Sequence, residues 1–157
     1  MITQDDIQAF EDMNAPSDWQ THLMGAARYA ATKSKDSTKV GALLVGPNNE
    51  TLLTAFNGPP MGVRDLPERR LTRPEKYLWV SHAEANLIAF AARRGIQTEG
   101  MSVYVTHMCC ASCAKTLIQA GIQRVFVGDG ATAMPTAEFE TAGVMFREAG
   151  VSVQTVP

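Results

Sequence analysis

"SHAEANLIAFAARRGIQTEGMSVYVTHMCCASCAKTLIQAGIQRVFVG", residues 81–128, changes its periodicity three times. From Ala83 to Arg94 the apolar residues recur at helical spacing, and Gly95 is placed to end that helix. "MSVYVT" then reads as a strand, Cys110 to Ala120 as a helix stopped by Gly121, and "RVFVG" as another strand. Parallel strands need a crossover connection, so strand, helix and strand in this order lay a helix across a sheet. Working outward, Ala137–Ala149 is helical and "VSVQTV" is a last strand. Upstream, "KVGALLVG" and "TLLTAFN" flank the turn "PNNE" as a hairpin. A first helix runs from Thr3 to Met13, with Thr3 and Asp6 as a capping box, and "NAPS" breaks it. Ser17 is expected to cap a second helix to about Thr32, with Trp19, Leu23, Ala26, Ala27 and Ala30 near helical spacing. Residues 58–80 read as a long loop rich in Pro and Arg. Loops of that length are usually functional or interfacial. The expected fold class is α/β: a three-layer α/β/α sandwich around a mixed, roughly five-stranded sheet, with 1–157 as a single domain.

Composition narrows the function classes. The chain has 157 residues, 45% hydrophobic and 19% charged, with a formal net charge of −2. That is ordinary globular composition, and the slight acidity argues against a grip on a nucleic-acid polymer. Three cysteines within five positions make a poor disulfide framework and point to a reducing compartment with thiolates on a metal. The start "MITQDDIQAF" lacks a signal-peptide pattern, and no apolar run approaches 18 residues. The expectation is a cytoplasmic protein with no membrane span.

Cys110 and Cys113 form a C-x-x-C pair after a strand and at the start of a helix. That position gathers two sulfurs and lowers their pKa values. His82 stands at the entry to the other helix, and one nitrogen with two sulfurs suits zinc. A structural zinc takes four protein ligands; a catalytic one keeps three and leaves a position for water. Three residues could compete for the fourth place. Cys109 adjoins Cys110, His107 lies at the strand end, and His22 lies on the second helix. Glu84, two residues beyond His82, is too close along the turn to share the ion and can instead move the proton of a zinc-activated water. Alone, Glu84 would read as a first-turn acid favoured by the helix dipole.

H-x-E followed by C-x-x-C is close to the zinc-deaminase signature, which carries a proline before the first cysteine. With "KSKDSTKVGALLV", "FNGPPMG" and "CCASCAKTLIQAGIQRVFV", the sequence resembles the deoxycytidylate (dCMP) deaminase family over roughly residues 18–128. The resemblance implies a cytidine-deaminase-like fold, a homo-oligomer (hexamer or dimer), and hydrolysis of dCMP to dUMP and ammonia. By position it implies one catalytic zinc on His82, Cys110 and Cys113, with Glu84 shuttling protons. It also implies that Asn57 meets the deoxyribose, the backbone around Ala83 reads the base, and Lys33 and Ser34 lie near the 5′-phosphate. Phe56 could stack near the base or serve the core.

The chain departs from the family at three points. Cys109 replaces the proline before the first metal cysteine, as a small buried residue or an auxiliary thiol; Lys33 replaces an arginine; and "DGATAMPT" lacks the aromatic common after that strand. These put the exact nucleotide in question and leave the chemistry intact. Arg64, Arg69, Arg70 and Arg73 in the 58–80 insert, with Lys76, are either a clamp for substrate phosphate or an effector such as dCTP or dTTP, or local ion-pair partners of Asp65, Glu68 and Glu75. The competing functions are a relative acting on dCTP, a 5-substituted dCMP, a free nucleoside or nucleobase, or tRNA adenosine. A different class is a zinc-stapled binding module without turnover, which needs His107 as fourth ligand.

Overall fold

Alternation along three strands sorts the core into two halves. In the computed structural model, which describes residues 1–157, Ala42, Leu44, Val103, Val105, Val125 and Val127 face one cluster. Leu43, Val45, Tyr104 and Phe126 face the other. Successive side chains on a strand point to opposite faces, so apolar residues at every position mean a sheet buried on both sides. The strands are β1 (Gly41–Val45), β2 (Thr51–Phe56), β3 (Ser102–His107), β4 (Arg124–Gly130) and β5 (Ser152–Thr155), in spatial order β2-β1-β3-β4-β5. The β1–β2 and β1–β3 pairs are antiparallel; β3–β4 and β4–β5 are parallel. The mixed five-stranded sheet expected from the sequence is therefore present.

Helix α1 spans Gln4–Met13 and α2 spans Trp19–Ala31. Helix α2 covers one face alone, with Leu23, Met24 and Ala27 in its cluster. The other face is covered by α5 (Ala83–Arg94), α6 (Ala111–Gln119) and α7 (Thr136–Glu148). The expected capping box on α1 is present: Thr3 accepts from the Asp6 N–H and Asp6 reaches back. Helix α2 is capped by Asp18 rather than Ser17, because the Asp18 carboxylate accepts from the Thr21 N–H at 2.9 Å. Trp19 stays half exposed while Met24 is buried, so the inward stripe is rotated from the one expected. Residues 58–80 hold two one-turn helices, α3 (Pro67–Arg70) and α4 (Lys76–Trp79), where the sequence suggested a plain loop. Four-residue helices are too short to leave a periodic signal.

Two glycines matter to the architecture. Gly95 caps α5 at φ 66°, which suits a residue without Cβ. Gly41 lets α2 approach β1, since a Cβ there would run into the Ala27 carbonyl and the Ala31 nitrogen. The parallel β3–β4 crossover puts the start of α6 just beyond the end of β3, beside the start of α5. No helix is long and apolar enough to cross a membrane.

Candidate active site

Two helix starts supply the centre. His82 is the N-cap of α5 and Cys110 the N-cap of α6, both with extended backbone. Neither side chain makes a capping bond, so both are free to turn toward each other. The His82 Nδ1 lies 3.4 Å from Cys110 Sγ and 3.4 Å from Cys113 Sγ. The donor atoms of the three residues lie within 4.8 Å of one another. Zn–S and Zn–N distances of about 2.3 and 2.0 Å fit such a triangle. The chemistry fits as well: one imidazole and two thiolate-capable sulfurs are a borderline-soft set.

The proton inventory agrees. Cys110 is lowered to about 4, chiefly by the hydrogen bond from Cys113, with His82 assisting and burial opposing. The Cys113 thiol is correspondingly raised by the same bond. The two opposite shifts describe one proton held between two sulfurs, with Cys110 the thiolate. His82 is raised, first by its hydrogen bond to Cys110, against burial. In chelator-stripped protein, iodoacetamide should therefore alkylate Cys110 almost as fast at pH 6 as at pH 8. An ordinary thiol loses about 100-fold over that span, because its thiolate fraction falls tenfold per unit below its pKa. Peptide mapping checks this, and equal pH dependence at all three cysteines would refute it.

Cys109 and the histidines separate cleanly from this cluster. Cys109 is fully buried, and burial raises its thiol well above the usual range. It belongs to the apolar cluster under the sheet and is not one of the three converging donors. His107 Nδ1 lies 2.7 Å from Thr106 Oγ1, and burial lowers the ring's pKa. His107 borders the pocket without joining the donors, so it does not close the site as a fourth ligand. His22 is exposed on α2, edge-on to Trp19.

Glu84 sits one helical position inside α5 and is only 4% exposed. Burial is the main cause that raises its carboxyl pKa, partly offset by its own backbone N–H and by His82. A buried carboxyl whose proton is held more tightly than usual, beside a histidine, is placed to take and give a proton.

The pocket in front of the centre is lined by His82, Ala83, Glu84 and Cys110 together with Asn57, Thr38, Val40 and Val80. Asn57 is held in one orientation: its Oδ1 accepts from the Val40 N–H at 2.9 Å and its Nδ2 donates to the Thr38 carbonyl at 2.8 Å. One N–H of that amide remains for a ligand. Met108, Met134, Thr132 and Phe139 complete another part of the wall. Phe139 of α7, three residues after the aromatic-free stretch "DGATAMPT", puts an aromatic ring on this wall.

The remaining candidates divide. Arg73 lines the pocket; Arg64, Arg69 and Arg70 do not. Arg70 pairs with Asp65 at 2.7 Å and donates to the Lys35 carbonyl at 2.9 Å, and Arg69 stacks 3.9 Å over Trp79. Lys33 lies on a neighbouring depression with Phe56, outside the pocket. Ser34 is buried, donating from its Oγ to the Asn57 carbonyl at 2.9 Å, so it shapes the strand end that carries Asn57. Lys76, one of the insert cations read from the sequence as a possible phosphate clamp, is the buried one. It is 6% exposed, lines the pocket, and bonds Asp36 at 2.6 Å. The burial of this first residue of α4 has no local sequence signal; only its pairing with Asp36, forty positions away, reveals it.

Residues 17–129 match the family model described as "Cytidine and deoxycytidylate deaminase zinc-binding region". The chain belongs to this family. It is therefore a zinc-dependent deaminase, a hydrolase, and the three converging donors are a set that could hold its zinc. The deoxycytidylate deaminase of Pongo abelii is 37% identical over 144 residues, 83% of this chain and 79% of that one. An uncharacterized deaminase from the luxG 3′ region of Aliivibrio fischeri is 37% identical over 145 residues, 90% and 95%. The crystal structure of the dCMP deaminase from cyanophage S-TIM5, in complex with dCMP and dUMP, superposes with a TM-score of 0.68. It is 25% identical and covers 99% of this deaminase and 100% of that chain.

Proposed function

We propose that this deaminase converts dCMP to dUMP and ammonia, with His82, Cys110 and Cys113 holding zinc and Glu84 carrying protons. The observation that carries the nucleotide reading is the Arg73 guanidinium inside the catalytic pocket, free of any carboxylate partner and beside the Lys76–Asp36 ion pair. Lys76 has three N–H donors and one protein partner, Asp36 Oδ1. The second oxygen of that carboxylate is buried without a partner. Arg73 donates its Nε to the Tyr77 hydroxyl at 3.0 Å, which orients the guanidinium and leaves its terminal nitrogens free. Donors of this kind on one pocket wall suit a phosphate. The likeness to deoxycytidylate deaminases supports the same substrate.

Bound zinc supplies the Lewis acidity that makes water a nucleophile near neutral pH. Glu84 takes the proton of the attacking water, gives it to N3 of the pyrimidine, and later moves a proton to the departing amine at C4. The α5 first turn at Ala83 presents backbone N–H groups to the base. The free N–H of Asn57 meets the deoxyribose hydroxyl.

Arg73→Ala is expected to raise KM for dCMP about 10- to 100-fold, roughly the 1–3 kcal/mol of a charge-assisted hydrogen bond. Turnover of deoxycytidine should stay within about threefold, since that substrate has no phosphate to lose. An ammonia-release panel over dCMP, deoxycytidine, dCTP, 5-methyl-dCMP and tRNA tests this directly. Equal losses on dCMP and deoxycytidine would reject the phosphate role, and release from tRNA alone would favour the adenosine reading. Lys76→Ala is a poorer probe, because it strands the Asp36 charge in the interior at about 3–5 kcal/mol. We also propose a cytoplasmic homo-oligomer, in keeping with three unpaired cysteines, and control by dCTP and dTTP through the arginine-bearing insert. A flat response to both nucleotides would remove the control.

A further inference from the structure

Helix α1 is formed but has nothing to lie on. None of its residues is buried, although its apolar side chains Ile7, Phe10 and Met13 recur every three positions and make one stripe. Their exposures are 41%, 64% and 81%. The helix carries Asp5, Asp6, Glu11 and Asp12 and no cation. Isolated helices below about 12–15 residues are marginal in water, so this ten-residue helix needs a partner surface.

A matching surface lies on the far edge of the sheet. Leu53 on β2 and Phe90 on α5 form an apolar groove with Met61, bordered by Arg93 and Arg94. Arg93 reaches the Met61 sulfur at 3.6 Å, and neither arginine has a carboxylate partner in the chain. The groove is apolar and cationic where α1 is apolar and anionic.

The chain cannot place α1 in its own groove. Gln20, at the start of α2, bonds Gln154 on β5 at 3.1 Å, so α1 departs from the β5 side. The groove is on β2, at the opposite edge of the sheet, and on the opposite face from α2. The path is four strand spacings of about 4.8 Å plus two layer separations of roughly 10 Å, about 40 Å in all. The linker from Met13 to Trp19 spans at most about 20 Å when fully extended.

We propose that α1 of one chain docks in the Leu53–Met61–Phe90 groove of a second copy, with its carboxylates on Arg93 and Arg94. The contact rests on the homo-oligomer proposed above and assigns it a specific arm and socket. An equal mixture of 15N-labelled and unlabelled full-length chains, each with Phe10→p-benzoylphenylalanine, would be irradiated and mapped by mass spectrometry. Adducts are expected to join position 10 to peptides holding Phe90, Leu53 or Met61, and to pair heavy with light chains. In sedimentation, Arg93→Glu with Arg94→Glu should raise the subunit dissociation constant about tenfold or more, as should Asp5→Arg with Glu11→Arg. All four changes in one chain should restore association to within about threefold. A wild-type chain that sediments as a monomer removes the oligomer itself. An oligomer whose adducts map elsewhere, or lie within one chain, overturns this contact and leaves the oligomer standing.

Discussion

Glu84→Gln is expected to retain one zinc per chain while dCMP turnover falls by at least about 10²–10⁴-fold, the usual contribution of a positioned acid–base group. The amide has nearly the volume of the acid, so the packing at the start of α5 is preserved. Burial already raises the Glu84 carboxyl, so the site tolerates a neutral group there. What Gln cannot do is accept a proton and release it again. The loss should therefore fall on kcat, with KM for dCMP changed little, because the wall formed by Asn57 and Arg73 is untouched. Metal analysis with a steady-state ammonia assay checks both halves. Wild-type turnover would dismiss Glu84 as the proton carrier. Loss of zinc together with turnover would make it a metal-site residue instead.

Cys113→Ala is expected to lose zinc and activity together. The site offers three protein donors, and removing one leaves an imidazole and a single sulfur. Loss of an outer-shell partner already costs about 10–100-fold in metal affinity, and loss of a direct ligand should exceed that. The same variant frees Cys110 from the hydrogen bond that chiefly lowers its pKa, so its thiolate should become less available in the stripped protein. Cys109→Ala is the control: a fully buried thiol outside the donor triangle should cost some thermal stability and no zinc. Plasma-emission zinc counts on the two variants separate ligand from neighbour. Equal stoichiometry in both would undo the assignment.

Much of the architecture was legible because it rests on short-range pattern. The continuous apolar runs of β1, β3 and β4 announce strands buried on both faces, and the Thr3 box and Gly95 mark helix ends locally. The failures were also local. Ser17 and Asp18 are adjacent candidate caps, and spacing alone does not choose between them. The turns α3 and α4 are shorter than one amphipathic period. In the pocket, the resemblance pointed to Lys33 and Ser34, and the insert offered four arginines and Lys76 without choosing among them, whereas the fold faces Arg73 and Lys76 into the cavity. It occupies Arg69 with Trp79 and Arg70 with Asp65.

The sequence by itself determined which three donors can meet a metal and which acid is proposed to carry the proton. A histidine and a glutamate at one helix start, and two cysteines at another, are fixed by spacings of two and three residues, over which local geometry varies little. The tertiary structure alone decided that the two helix starts meet, through the parallel β3–β4 crossover. It also decided which distant side chains complete the pocket: Lys76 tied to Asp36, Asn57 locked between Thr38 and Val40, and Phe139 brought in from α7. Those contacts join residues that only the register of the sheet and the packing of its layers bring together, and nothing in a run of neighbours along the chain encodes them.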